Sequence, residues 1–286
     1  MIASLLALNS RQALASSALP HCSNLLYQLN KKQIDKLLFF EKCYKCYFDI
    51  REAPFDDGDI KCYVERITNA TNAYLDIFWP PENNPFSHQA DFTSSVIPEM
   101  LCVIFSRVIA RSGVALEVSA QKDLAIECIF TISSGGSVRF KNKRVDVSVA
   151  MQCEMIFNGM SAELPIPLLA IECKTNLDKN MISGIEHSAS ELKKSFPDCR
   201  YFVVSELSDF DVRKTNYASS GIDEIYILRN QKRAIVRRNP LLRNQINAEL
   251  VFEIVKLLSE SIESMNTGAL NLEAKMQKGK LIGRVL

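Results

Sequence analysis

The run Arg144-Val145-Asp146-Val147-Ser148-Val149 is followed further along by Leu168-Leu169-Ala170-Ile171-Glu172-Cys173-Lys174, and the reading of these two stretches decides the fold. In the first, valines alternate with polar residues. That is the period of a β-strand, and it predicts Val145, Val147 and Val149 on one side with Asp146 and Ser148 on the other. In the second, Glu172 and Lys174 are two residues apart, so on a strand they share a face about 7 Å apart. Cys173 then points into the opposite, apolar face. If the two strands pair, Asp146 approaches the Glu172/Lys174 face.

Two carboxylates and an ammonium in apolar strands are a costly way to pack a sheet. Each buried charge costs several kcal/mol (an order-of-magnitude figure) unless another charge compensates it. A hard divalent cation would resolve the conflict. Asp146 and Glu172 are the expected oxygen donors to Mg²⁺, with the Cys173 carbonyl as a further ligand and water and a phosphate oxygen completing the shell. Lys174 would orient or help deprotonate the attacking water and hold the phosphate. The competing reading is an ion pair on the surface of a strand pair, which needs no chemistry.

Working outward, β-rich runs are predicted at 124–132, 137–157 and 166–174. Ser134-Gly135-Gly136 marks a turn between the first two and Asn158-Gly159 closes the second. A helix is predicted over 179–195, then strands at 201–205 and 224–228. A final amphipathic helix is predicted over 240–264, with Leu250, Ile254, Leu257 and Leu258 on one side. On the N-terminal side, 1–48 reads as helical through Leu25, Leu26, Leu29, Ile34, Leu37 and Leu38, and 63–78 as another helix. A helix capped by Ser94 or Ser95 should bury Met100, Leu101, Ile104, Phe105 and Val108. The expected class is therefore α/β: a mixed sheet flanked by helices. Residues 1–90 form an N-terminal helical region, 91–265 the core and 266–286 a mobile tail.

The D…E-x-K pattern, in β-β-α-β order, resembles the PD-(D/E)XK nuclease superfamily. More narrowly, Ile171-Glu172-Cys173-Lys174-Thr175-Asn176-Leu177-Asp178-Lys179-Asn180-Met181 is similar to the E-x-K-T-x-L-D-K-x-M segment of type II restriction endonuclease subunits of the BbvCI kind. Ser94-Ser95-Val96-Ile97-Pro98-Glu99 and Phe202-Val203-Val204-Ser205-Glu206-Leu207 also look similar to that group. The resemblance implies Mg²⁺-dependent cleavage of duplex DNA at a short asymmetric site, by a homodimer or by a heterodimer of related subunits. Asp146, Glu172 and Lys174 take the catalytic positions. Val145 stands where a proline often precedes the metal-binding aspartate. Glu99 corresponds to a helical glutamate that often assists in the superfamily, although a first-turn carboxylate favoured by the helix dipole explains it equally. A repair or junction-processing nuclease of the same fold, and a non-catalytic DNA-binding assembly subunit, are the alternatives.

The net charge is only +1, so any nucleic-acid footprint must be local. Arg139, Lys141, Lys143 and Arg144 crowd just before Asp146. Arg229, Lys232, Arg233, Arg237, Arg238 and Arg243 follow one another with no acid between them. Phosphate contact is one reading and a solvated, aggregation-blocking edge is the other. Ser183, His187, Lys193 and Lys194, with Lys179, lie on the helix after the E-x-K stretch, within reach of a phosphate or base.

Hydrophobic residues make up 47% and charged residues 23%, which suits a globular chain with a sizeable core. No long charge-free apolar run of bilayer length is evident, so no membrane association is expected. Met1–Leu8 lacks the basic start of a secretory signal and reads as the first turns of a helix, with Leu5, Leu6 and Leu8 inward. Nine cysteines, an odd number set partly in apolar runs, read as reduced, buried thiols in a cytoplasmic protein, and the resemblance implies a bacterial one. Cys43-x-x-Cys46, with His21 and Cys22 upstream, has no second CxxC, so core cysteines are expected rather than zinc. The sequence contains no GxxxxGK[ST] loop and no G-x-S-x-G elbow.

Overall fold

A computed structural model describes residues 19–31, 34–55, 59–79, 85, 91–131, 137–157, 159–209 and 220–277. Its element order is α1 (Pro20–Asn30), α2 (Ile34–Arg51), α3 (Ile60–Ile77), α4 (Asp91–Ser94), α5 (Val96–Ser112), β1 (Glu117–Thr131), β2 (Ser137–Phe157), β3 (Met160–Leu177), α6 (Lys179–Ser195), β4 (Arg200–Ser208), β5 (Glu224–Ile227), α7 (Arg233–Arg238), a 3₁₀ turn (Pro240–Leu242) and α8 (Ala248–Gln277). The strands lie in the order β1-β2-β3-β4-β5. The β1, β2 and β3 strands form an antiparallel meander, while β4 and β5 join parallel to β3. Phe157 pairs with Met160 across a tight turn in which Gly159 has φ +78°, a left-handed conformation open to glycine at little cost.

Each sheet face has its own core. Val147, Val149, Leu169, Ile171, Cys173, Phe202 and Val204 pack with the helical layer of α1–α5 and α8. Val145, Ala170, Tyr201 and Val203 pack on the other face with Ile182, Ile185, Ala189 and Leu192 of α6. The N-terminal helices thus share one continuous core with the sheet. At the centre of that layer α5 buries Met100, Leu101, Ile104 and Phe105 completely. Each such side chain stabilises by about 1.5–3 kcal/mol relative to exposure. Gly113, at φ +69°, ends α5 in the left-handed conformation that closes many helices. Phe92–Ser112 is, among the described residues, the one stretch long and apolar enough to cross a bilayer by length and composition, although Glu99, Arg107 and Arg111 keep it from being charge-free. It is 72% buried inside the protein, as a core helix is.

Several expectations are corrected. Ser95 does occupy the cap position of α5 but makes no side-chain cap bond. Its hydroxyl donates instead to the Phe92 carbonyl at 2.8 Å. Leu38 is 56% exposed rather than inward. The last helix starts at Ala248, not 240. Pro240 opens only a 3₁₀ turn, and the Asn247 side chain accepts from the Glu249 amide at the true helix start. That helix continues to Gln277, into the stretch read as a tail. The expectations for Leu5, Leu6 and Leu8, for the Ser134-Gly135-Gly136 turn and for 278–286 lie outside the described residues.

Candidate active site

The β2–β3 ladder runs from Phe157↔Met160 to Val147↔Ile171 and stops there. Beyond that point the strands part, and the carboxylate of Asp146 fills the opening. Its Oδ2 accepts the backbone N–H of Cys173 at 2.7 Å, standing in for the missing strand partner. The alternation predicted for 145–149 breaks at this place. Val147 and Val149 face the helical layer, but Val145 belongs to the core under α6. On the other side of β2, Ala120↔Val147 and Lys122↔Val145 pair. Between them Gln121 stands opposite Asp146 with φ +50°. A left-handed non-glycine residue costs about 1–2 kcal/mol, and nothing in the sequence announces it.

Glu172 and Lys174 share the α6-facing side of β3, and Cys173 turns to the helical core, where it is 9% exposed. The Lys174 ammonium lies 2.7 Å from Glu172 Oε1 and 3.8 Å from Asp146 Oδ2. The three side chains are 29%, 15% and 30% exposed, so the group sits at the mouth of the opening rather than beneath it. Burial and then the neighbouring Glu172 charge raise the Asp146 carboxyl above its usual range, against the pull of the Cys173 amide, Lys174 and Lys143. Burial works to lower the Lys174 ammonium, but Glu172 and Asp146 outweigh it and raise its pKa. The site therefore concentrates negative charge that one lysine only partly balances. Two hard carboxylate oxygens suit a magnesium-like ion, which keeps water and phosphate in its shell. Among the described residues no group of three or more His, Cys, Asp or Glu side chains could hold a metal.

Glu99 is not part of this cluster. It is 2% exposed in the first turn of α5. Its Oε1 accepts from the Tyr47 hydroxyl at 2.6 Å and lies 3.5 Å from Arg51, and its Oε2 accepts from the Cys22 amide at 2.9 Å. Both oxygens are committed within the helical layer, so the carboxylate ties α1, α2 and α5 together. His21 is buried beside it. Its Nε2 is 2.7 Å from the Tyr74 hydroxyl, and its Nδ1 is 2.9 Å from the Phe92 carbonyl. Cys43 Sγ donates to the Phe40 carbonyl, and burial pushes its thiol up to about 12.

The cations divide. Arg139 is exposed, Arg144 pairs with Asp123 at 2.9 Å, and Lys141 lies 3.6 and 3.3 Å from Glu127 and Glu191. Lys143 is half-buried. Lys179, Ser183 and His187 lie on the exposed side of α6. Arg237 and Arg238 are exposed on α7 and Arg233 half-buried, beside Leu241, Leu242 and Ile235, which are also exposed. Arg229 and Arg243 depart from the phosphate-contact reading: both guanidiniums are buried against Glu206, at 2.8 and 3.3 Å.

A mixed five-stranded sheet, opened at a D…E-x-K cluster and flanked by helices, defines the class as restriction-endonuclease-like. Among solved structures the chain is similar to one described as "native BbvCI A2B2 tetramer at low resolution". The TM-score is 0.68 at 24% identity, over 87% of this chain and 96% of that one. The family model described as Bpu10I restriction endonuclease matches residues 89–249, more than half of the chain. The chain belongs to the Bpu10I restriction endonuclease family. No curated protein matches it.

Proposed function

We propose that this chain is a catalytic subunit of a type II restriction endonuclease that hydrolyses phosphodiester bonds of duplex DNA at a short specific site with Mg²⁺. The observation that carries the reading is the convergence of Asp146 and Glu172 on Lys174, at 3.8 and 2.7 Å, where the β2–β3 ladder opens. Bound there, Mg²⁺ supplies a Lewis acid for the scissile phosphate and lowers the pKa of water. Asp146 and Glu172 would provide the hard oxygens, with the Cys173 carbonyl as a further donor. The Lys174 ammonium moves from the carboxylates to a phosphate oxygen and orients the attacking water. Asp146 is fixed through the Cys173 amide, so the carboxylate is preorganised by the sheet itself.

Arg139, Lys141, Lys143 and Arg144 on β2, Lys179 and His187 on α6, and Arg233, Arg237 and Arg238 on α7 are the proposed contacts to phosphates. The surface ion pairs of Lys141 and Arg144 are no obstacle, because exposed pairs are worth only about 0–1 kcal/mol. Glu99 takes a structural role in this reading. The A2B2 assembly named for the similar structure supports oligomerisation, as a homodimer or with a related subunit.

The test is plasmid cleavage with Mg²⁺ by the purified chain, alone and with a co-encoded related subunit. Wild type should cut. Lys174→Ala and Glu172→Ala should not, while both still bind a duplex containing the site. Equal cutting by wild type and variants would overturn the assignment. So would wild type that binds the site and never cuts in any pairing, and the ion pair would then be structural.

A further inference from the structure

The proposed chemistry uses Asp146, Glu172 and Lys174 but leaves unused two hydroxyls in the row next to them. Ser148 pairs with Ala170 across β2–β3, and Ala170 pairs with Tyr201 across β3–β4. Directly paired residues project to the same face of a sheet. Ser148, Ala170 and Tyr201 therefore form one transverse row on the side that carries Glu172 and Lys174. Glu172 is two residues from Ala170 on β3, about 7 Å along the strand.

Ser148 is 1% exposed and Tyr201 0%. Neither hydroxyl has a hydrogen-bond partner in the protein. Buried hydroxyls are almost always satisfied, so two orphans in one row call for an explanation. Between them stands Ala170, the smallest side chain in the row. Buried polar groups left without a protein partner are where proteins hold a buried water.

The partners above the row are in place. Asp146 Oδ2 is engaged by the Cys173 amide and Glu172 Oε1 by Lys174, but no described residue donates a hydrogen bond to Asp146 Oδ1 or Glu172 Oε2. The Tyr201 phenol also senses both carboxylates. Burial first, and then Glu172 and Asp146, push its pKa far up, so it stays a donor.

We propose that Ser148 and Tyr201 are positioning residues, whose hydroxyls share a buried water above Ala170 and donate through it to the rear of the Asp146–Glu172 pair. This rests on the pair being the divalent-ion site. The hydroxyls would fix the spacing at which the two carboxylates accept the ion. They would make no contact with DNA or with the reacting atoms.

The experiment is calorimetric titration of the full-length protein with Ca²⁺, a divalent ion that binds such sites, alongside thermal melting. Tyr201→Phe and Ser148→Ala should each weaken Ca²⁺ binding about tenfold, as outer-sphere partners of metal ligands do. Their melting temperatures should fall by no more than a few degrees, since each change removes one water-mediated hydrogen bond and no packing group. The double variant should bind much as either single does, because both act through one water. Ser148→Thr, which keeps the hydroxyl, should restore the affinity.

Wild-type Ca²⁺ affinity in both single variants, with Glu172→Gln clearly weakened, would overturn the positioning role and leave the metal-site reading standing. Wild-type affinity in Glu172→Gln would overturn the metal-site reading and this proposal with it.

Discussion

Replacing Glu206 should cost this protein a large part of its stability although the residue lies outside the proposed active site. Glu206 Oε2 accepts from Arg229 Nε at 2.9 Å and lies 2.8 Å from Nη2, an ion pair without a directed hydrogen bond at that nitrogen. The same oxygen is 3.3 Å from Arg243. The three side chains are 9%, 0% and 9% exposed. Without this carboxylate, among the described residues Arg229 keeps the Asn244 carbonyl, and Arg243 keeps the half-exposed Asp76 and the Trp79 ring, 5.1 Å from its guanidinium carbon. Two guanidiniums would face each other in the interior. Their repulsion is already felt, because burial and then Arg229 hold Arg243 below its usual range.

Breaking a buried pair in this way costs about 3–5 kcal/mol. A domain has only about 5–15 kcal/mol in total. At about 2–4 °C per kcal/mol, the melting temperature should fall by about 6–20 °C. The assay is urea unfolding of Glu206→Gln followed by circular dichroism, with the double variant Glu206→Leu/Arg229→Met beside it. The double variant should be the more stable of the two, because it leaves one buried cation fewer and no buried anion. A loss below about 1 kcal/mol in Glu206→Gln, the range of exposed pairs, would refute the reasoning. So would a double variant as unstable as the single.

Two further outcomes follow from buried and exposed basic groups. Burial depresses the His21 pKa below its ordinary 6.5, only partly offset by the Glu99 charge and the Phe92 carbonyl. The unfolded chain therefore binds the proton first: the stabilisation is complete above pH 6.5 and is lost as pH falls toward the lowered folded value. Urea stability measured across that window should fall with acid, and His21→Gln should flatten the slope; an unchanged slope would contradict it. Replacing Arg237 and Arg238 by alanine should weaken duplex binding evenly across sequences and reduce the salt slope of log Kd by about two, one per phosphate contact. A wild-type slope in a fluorescence-anisotropy titration would remove α7 from the DNA footprint.

Much of the fold is legible in the sequence because burial there follows period. The alternating and apolar runs mark β2, β3 and β4, and the inward turn of Cys173 between Glu172 and Lys174 follows from strand geometry alone. What period cannot register is a defect in the ladder. The parting of β2 and β3 at Val147↔Ile171, the left-handed Gln121 and the transfer of Val145 to the other core all arise from tertiary pairing. The burial of Arg229 and Arg243 was hidden for a related reason. Their acids, Glu206 and Asp76, are distant in sequence, so a local count of charge reads a structural knot as a basic patch. Glu99 was ambiguous in the same way: its first-turn position was readable, but its ties to Tyr47, Arg51 and Cys22 were not.

The bond from the Cys173 amide to Asp146 also bears on how such a gene could decay. On the proposed mechanism, losing the Asp146 carboxylate to a short apolar side chain would silence cutting and leave a backbone N–H in the sheet without its acceptor. On the same mechanism, changing Glu172 to glutamine would also silence cutting, but would relieve the crowding of like charge on Asp146 and leave the sheet whole. Lineages that keep a disarmed copy as a folded partner subunit should therefore carry their lesion at Glu172, and retain the aspartate long after it has nothing to cut.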